Sequence, residues 1–190
     1  MKRTLIHNAT IVNEGRSVQG SVVIEGDRIA EVLTYGKKLS VPCDETIDAT
    51  GCCLLPGVID DHVHFRDPGL THKADILTES RAAAAGGVTS IMDMPNTNPL
   101  TTTLSALEQK FDLLNEKCIV NHSCYFGATN NNYTEFNQLD KHRVCGIKLF
   151  MGSSTGNMLV DKTNSLLNIF NGTDTVSYTH LRAHETCADL

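Results

Sequence analysis

Short apolar runs separated by turn residues occupy the first part of the chain. Apolar positions cluster at residues 22–24 and 29–33, and the interrupting stretches 13–15 and 25–27 each contain a glycine. Runs of this length, bounded by glycine-containing turns, are typical of β-strands. The pattern predicts a small N-terminal β domain over residues 1–55.

After Pro56 and Gly57 the pattern changes to strands that alternate with helices. Strands are predicted at residues 58–64, 88–94, 118–126 and 144–151, and helices at residues 71–85, 104–114 and 133–139. The Ala-rich end of the first helix runs into Gly86 and Gly87, where a left-handed backbone favours glycine. Thr102 or Thr103 can cap the second helix. Repeated β-α units imply an α/β fold with a parallel sheet and right-handed crossovers.

Four such units form either an open doubly wound sheet or half of a (β/α)8 barrel. A complete barrel takes about 250 residues, whereas only 135 residues lie from position 56 to position 190. The chain is therefore short for a whole barrel.

The charge and the cysteine content argue against several classes of function. The net charge of −6, without a cluster of Lys and Arg, argues against a nucleic-acid or anionic-membrane partner. No segment approaches the roughly 20 apolar residues of a spanning helix, and no apolar signal region follows Lys2 and Arg3. The seven scattered cysteines lack zinc-site spacing. Reduced thiols in a cytoplasmic protein are the expectation.

The first predicted barrel strand carries a candidate metal site. Asp60, His62 and His64 alternate along it, so their side chains share one face. Two imidazoles about 6–7 Å apart along a strand can turn toward one ion, and Zn²⁺ accepts neutral imidazole. Asp60 can orient a ligand. A His-x-His motif alone is weak, but its place at the carboxyl end of a strand is where barrel active sites lie.

Two polar residues at strand mouths are candidates for binding a substrate carboxylate. The guanidinium of Arg66 can hold a carboxylate by two parallel hydrogen bonds, or it can pair with the neighbouring Asp67. The amide of Asn96 can donate to the same carboxylate, although Asn beside Pro95 is also an ordinary turn residue.

Lys148 stands out in an otherwise apolar strand. It can lie on a solvent-facing edge, because burying an unpaired ammonium is costly. Alternatively, its neutral amine can react with CO2 to form a carbamate that bridges two metal ions about 3.5–4 Å apart. The following loop, residues 152–157, lacks the Walker lysine of a phosphate cradle, and a mobile loop over the pocket fits better.

Four motifs together resemble the cyclic amidohydrolase superfamily, and more closely its bacterial dihydroorotases. The resemblance rests on Pro56-Gly57-Val58-Ile59-Asp60, on the Asp-x-His-x-His strand that runs into Phe65-Arg66-Asp67-Pro68-Gly69, on Met94-Pro95-Asn96-Thr97 and on residues 148–158. It implies the metal-dependent amidohydrolase (β/α)8 barrel, of which residues 56–174 form the first half. It also implies that the N-terminal β domain is the first part of a small β-sandwich domain that a C-terminal segment completes.

The resemblance also implies roles for the candidate residues. His62 and His64 would bind the first of two Zn²⁺ ions in the complete protein, carboxylated Lys148 would bridge both, and Arg66 and Asn96 would hold the substrate carboxylate. The family reversibly hydrolyses the cyclic amide of dihydroorotate to N-carbamoyl-L-aspartate in pyrimidine biosynthesis. An allantoinase or hydantoinase, or a non-catalytic barrel acting as a structural partner, are the alternatives. Homo-oligomerisation of the complete protein is left open.

Several family features do not occur in this sequence. The family takes two more histidine ligands from its fifth and sixth strands and an acid/base aspartate from its eighth, and none of these motifs is present. Residues 175–190 instead resemble a translated sequencing adapter, and His180 and His184 within them receive no role. We expect this tail to be non-native, the gene to be truncated, and the 190-residue chain to be inactive by itself.

Overall fold

The structure is a computed structural model that describes residues 1–152 and 158–171 and the backbone of residues 177–178. The chain divides into two compact units, Met1–Pro56 and Gly57–Leu190.

The first unit is a five-stranded sheet, as the short apolar runs predict. Its strands are β1 (Arg3–Asn13), β2 (Arg16–Glu25), β3 (Arg28–Thr34), β4 (Glu45–Asp48) and β5 (Cys53–Leu54). The order is β3-β2-β1-β4, with β5 also paired to β1. Strands β1, β2 and β3 are antiparallel, whereas β4 and β5 run parallel to β1. Glu14 and Gly15 join β1 to β2 with positive φ angles of 49° and 72°. Two consecutive positive φ angles are the mark of a type I′ hairpin turn.

The second unit contains a parallel sheet with helices between its strands. The strands are β6 (Val58–Val63), β7 (Val88–Asp93), β8 (Asn121–Gly127), β9 (Val144–Lys148) and β10 (Ser177–Tyr178), and they pair in chain order. The helices are α1 (Ile76–Ala85), α2 (Leu104–Lys117), α3 (Thr163–Asn171) and the 3₁₀ helix Tyr133–Gln138. A doubly wound sheet reverses its strand order at a switch point, which this sheet does not do. The predicted half of a (β/α)8 barrel is therefore confirmed.

Local capping explains where the first two helices of this unit begin and end. Helix α1 begins at Ile76, later than predicted, because the extended Asp75 caps it and accepts a hydrogen bond from the Thr78 amide at 3.0 Å. It ends before Gly87, whose φ of +86° confirms the predicted left-handed glycine. Helix α2 is capped by Thr103, one of the two predicted caps.

The core of the barrel unit lies between the sheet and the helices. Leu107, Phe111 and Leu114 recur at helical spacing and form the buried face of α2. They belong to the same core cluster as Ile91 of β7 and Phe126 of β8. Strand β8 begins three residues later than predicted, and β9 ends at Lys148 instead of residue 151. Among the helices that the structure describes, none is long and apolar enough to cross a membrane.

Candidate metal and substrate site

Three parallel strands bring the predicted site residues to one edge of the sheet. His64 follows β6, Asn96 lies three residues after β7, and Lys148 is the last residue of β9. The carboxyl ends of parallel barrel strands lie at the same face, where barrel enzymes build their active sites. The predicted metal and substrate residues therefore share one end of the half-barrel.

The two histidines of the candidate metal site are adjacent. The ring centroids of His62 and His64 lie 5.3 Å apart, with an angle of 55° between the ring planes. The carboxylate of Asp60 accepts a hydrogen bond from the His62 backbone amide at 3.1 Å. Asp60 thus fixes the backbone at His62, a different contact from the ring-orienting one that the sequence suggests.

Asn96 contacts the second histidine directly. Its Oδ1 lies 2.8 Å from Nδ1 of His64. When the amide oxygen faces Nδ1, that nitrogen carries the proton and Nε2 keeps its lone pair, and such a partner is what orients a metal-binding imidazole. Because 32 residues separate the two side chains, no local sequence pattern marks this contact.

The surroundings of His64 keep its imidazole neutral. Burial lowers the pKa of His64, and the positive charges of Arg66 and Lys148 lower it further. The hydrogen bond with Asn96 and the negative charge of Asp93 oppose that shift of the pKa. A lowered pKa favours the unprotonated ring, which is the form that binds a metal ion.

Arg66 lies in the loop after β6 with a left-handed backbone, at φ +58°. Its Nη1 lies 3.5 Å from the Asn96 backbone oxygen. The carboxylate of Asp67 instead accepts from Lys117 Nζ at 2.8 Å, contrary to the alternative of an Arg66–Asp67 ion pair. The guanidinium thus lies beside the Asn96 backbone, on the residue whose side chain contacts His64.

A close approach of two loops holds Arg66 and Asn96 together. The Asn98 amide donates to the Pro68 carbonyl at 3.0 Å. At Gly69, with φ +80°, an added Cβ would lie 1.9 Å from the Asn98 oxygen. Only glycine fits there, because any side chain would both clash and strain the backbone.

Lys148 is buried, with 2% of the residue exposed. The alternative of a solvent-facing edge is therefore wrong: the side chain points away from water even though the strand pattern permitted either face. Its Nζ lies 5.0 Å from the centre of the Phe150 ring. The cost of burying an ammonium is reduced when the amine is paired or chemically neutralised.

The donor set fits part of a metal centre. Two imidazoles suit zinc, and a carbamate on Lys148 would add oxygen donors. Within residues 1–152 and 158–171 there is no group of three or more His, Cys, Asp or Glu side chains that would complete a site. The glycine-rich loop at 153–157 and the two histidines at 180 and 184 lie outside the described residues.

The second unit is the first half of a (β/α)8 barrel, with the predicted site residues at the carboxyl ends of its strands. The family model described as Dihydro-orotase-like matches residues 51–156, which is more than half of the chain. The chain belongs to this dihydroorotase-like family.

Individual relatives agree with this family. A dihydroorotase of Lactobacillus acidophilus is 38% identical over 133 residues, which are 70% of this chain and 30% of the relative. An allantoinase of Deinococcus radiodurans is 35% identical over 151 residues, 79% of this chain and 33% of the relative. The solved L-hydantoinase (dihydropyrimidinase) from Arthrobacter aurescens superimposes with a TM-score of 0.80 and 28% identity, over 90% of this chain and 38% of its own. The chain spans about a third of the length of the relatives it matches.

Proposed function

We propose that this chain is the N-terminal part of a dihydroorotase, which hydrolyses the cyclic amide of dihydroorotate reversibly to N-carbamoyl-L-aspartate in pyrimidine biosynthesis. The observation that carries the proposal is the meeting of His64, Arg66 and Asn96 at one strand edge, with Nδ1 of the imidazole 2.8 Å from the Asn96 amide oxygen. Such an arrangement combines a metal ligand with groups that bind a carboxylate. Family membership is consistent with it.

The proposed metal is zinc, two ions in the complete protein. His62 and His64 would hold the first ion through neutral imidazoles, and Lys148 would be carboxylated and bridge both. Bound zinc would supply Lewis acidity, which polarises the ring carbonyl and lowers the pKa of a bound water toward neutrality. The lowered pKa of His64 and the burial of Lys148 support these roles.

Arg66 and Asn96 are proposed to bind and orient the substrate carboxylate. A planar guanidinium donates two parallel hydrogen bonds to a carboxylate, and a neighbouring amide adds a third. Held in this way, dihydroorotate presents its ring amide to the metal ligands. The general acid/base and the remaining ligands are expected from later strands of a longer protein, so we propose that the 190-residue chain alone is inactive and that residues 175–190 are non-native.

The proposed cellular location and partners are those of an enzyme that acts on a small metabolite. We propose that the complete protein acts in the cytoplasm on small molecules, without a nucleic-acid or membrane partner; the net charge of −6 supports this. Homo-oligomerisation is left open.

An allantoinase or hydantoinase is the second candidate, because relatives of this chain carry those names. These enzymes have the same barrel and act on cyclic amides. Arg66 distinguishes the candidates, because a guanidinium aimed at the substrate favours a ring that bears a carboxylate. A non-catalytic structural partner is the third candidate, and the buried Lys148 beside two histidines argues against it.

The test compares substrates in the full-length protein encoded at this locus. We expect the highest kcat/KM on dihydroorotate, with hydantoin and allantoin far behind. Arg66→Met should lower kcat/KM for dihydroorotate about 10- to 100-fold, the size of one lost hydrogen-bonded charge contact. Arg81→Met, an exposed arginine on α1, is the matched control and should change little. Preference for hydantoin or allantoin would overturn the assignment, and no hydrolysis of any of the three would support the structural partner.

A further inference from the structure

A buried ion pair lies directly behind the loop that carries Arg66. Lys110 on α2 and Asp93 at the end of β7 are paired, and their side chains are 1% and 0% exposed. A pair removed from water to this extent is stabilising only when further hydrogen bonds satisfy its remaining polar atoms. The partners that supply those bonds show what the pair does.

Both partners are backbone groups of the Arg66 loop. Asp93 Oδ1 accepts from the Phe65 amide at 3.0 Å, and Lys110 Nζ donates to the Asp67 carbonyl oxygen. These two groups belong to the residues immediately before and after Arg66. The ion pair therefore fixes the loop on both sides of the arginine without touching its side chain.

The loop needs such support, because Arg66 has a left-handed backbone at φ +58°. For a long side chain that conformation is unfavourable and persists only when the surroundings impose it. Lys117, seven residues further along α2, adds a second attachment through the Asp67 carboxylate at 2.8 Å. Helix α2 thus contacts the loop through two lysines on one face.

We infer that Asp93 and Lys110 are positioning residues that hold the Arg66 guanidinium at the angle needed to select carboxylate-bearing substrates. The inference rests on the proposed function, in which Arg66 binds the substrate carboxylate. Neither residue of the pair contacts the substrate. Their effect reaches the reaction through the backbone of residues 65–67.

Two variants separate positioning from folding. Lys110→Met removes the bond to the Asp67 carbonyl but leaves a buried, unpaired carboxylate, so it carries a risk of misfolding. The double variant Asp93→Asn/Lys110→Met removes both charges and keeps an acceptor for the Phe65 amide. Glu108→Gln is the control, because Glu108 lies on the same helix but pairs with Arg143 at 3.1 Å, away from the loop.

The first measurement is hydrogen exchange in the loop of the full-length protein, and it requires no turnover. We expect faster exchange in the peptide covering residues 64–70 of both variants, with helix α1 unchanged and with wild-type exchange in Glu108→Gln. Unchanged exchange in the loop of the double variant would overturn the inference, whatever the substrate proves to be.

The second measurement is selectivity. We expect the KM for dihydroorotate to rise about 10- to 100-fold in the double variant, as a displaced binding group predicts, with a smaller change in kcat. Hydrolysis of hydantoin, which has no carboxylate, should change less. Equal losses on both substrates would mean a purely structural role and would overturn the inference.

Arg66→Met, measured in parallel, separates a failure of the proposed carboxylate contact from a failure of the positioning role. If Arg66→Met raises the KM for dihydroorotate but the double variant does not, the positioning role is wrong and the proposed function stands. If Arg66→Met leaves this KM unchanged, the proposed carboxylate contact is wrong. The inferred role of Asp93 and Lys110 in substrate selectivity is then wrong as well.

Discussion

The two units of the chain bury their side chains in different ways. In the first unit the buried apolar residues are few and small, namely Ala9, Val22, Val23 and Ala49, and its sheet leaves Ile29 and Val32 exposed. The barrel unit has a continuous core of large side chains, among them Phe111, Leu114 and Phe126. A densely packed core holds attached side chains in fixed rotamers. The candidate site residues all lie on the unit with the larger core.

The ion pairs of the two units also differ in how deeply they are buried. Arg3 in the first unit pairs with Glu31 at 2.6 Å and with Glu25, and these carboxylates remain partly in water. Lys110 and Asp93 in the barrel unit are paired with almost no exposure. Pairs screened by solvent contribute little, whereas a buried pair fixes the groups around it strongly once formed. The described pairs of the first unit all keep some contact with water. The barrel unit has exposed pairs as well, such as Arg143 with Glu108, but it also has one buried pair that holds a loop.

The largest difference in activity between the two units is expected when one histidine in each is replaced by alanine. His64→Ala in the full-length protein should lower dihydroorotase activity by more than about 100-fold, because losing even a supporting group of a metal site costs about 10- to 100-fold. Zinc content, measured by mass spectrometry, should fall as well.

His7→Ala is the matched control for that change. His7 lies exposed on β1, where its Nδ1 is 3.1 Å from the Ser21 hydroxyl, and we expect activity and zinc content close to wild type. Equal losses in the two variants would erase the functional distinction between the regions.

A smaller effect is expected when an apolar side chain is truncated in each region. Leu114→Ala removes a fully buried side chain of the barrel core and should lower the free energy of unfolding by about 3 kcal/mol. Val32→Ala, at 45% exposure on β3, should change it by about 0.5 kcal/mol or less. Urea unfolding of the full-length protein measures both. A large loss for Val32→Ala would show that β3 is covered in the complete protein.

Thiol labelling compares the cysteines of the two units without any substitution, and it is expected to disturb the protein least. Burial raises the pKa of Cys145 to about 11 and raises the pKa of Cys124 still more. Only the thiolate reacts, so at pH 8 both should label slowly, and Cys145 should speed up as the pH rises toward 11. The exposed Cys52 and Cys53 should label first. Mass spectrometry of the labelled peptides decides, and early labelling of Cys124 would contradict its burial in the core of the barrel unit.

Local features of the fold were predictable because they depend on neighbouring residues. The change from short apolar runs to β-α units, the Thr103 cap and the glycine after α1 all follow from the spacing and backbone preferences of adjacent positions. The strand ends were less predictable. Cys118 is apolar enough to extend β8 in sequence, yet it ends α2, because backbone hydrogen bonding rather than hydrophobicity sets the boundary.

The candidate site also combines features that local sequence predicts with features that it does not. The positions of His62, His64, Arg66, Asn96 and Lys148 were predicted from motifs and strand order, and their roles stay predictions. The burial of Lys148 was left open by the sequence, since the strand pattern allowed either face. The contact between His64 and Asn96 and the one between Asp93 and the Phe65 amide join residues about 30 positions apart. Nothing in the local pattern marks such pairs.

The sequence by itself therefore determined the order of strands and helices and the residue types at the strand ends, because both depend on short-range periodicity and on motifs. Only the tertiary structure decided which side chains lose water and which backbone groups they hold. Those outcomes depend on parallel strands from distant parts of the chain meeting at one edge, where Lys110 and Asp93 fix the loop that carries Arg66.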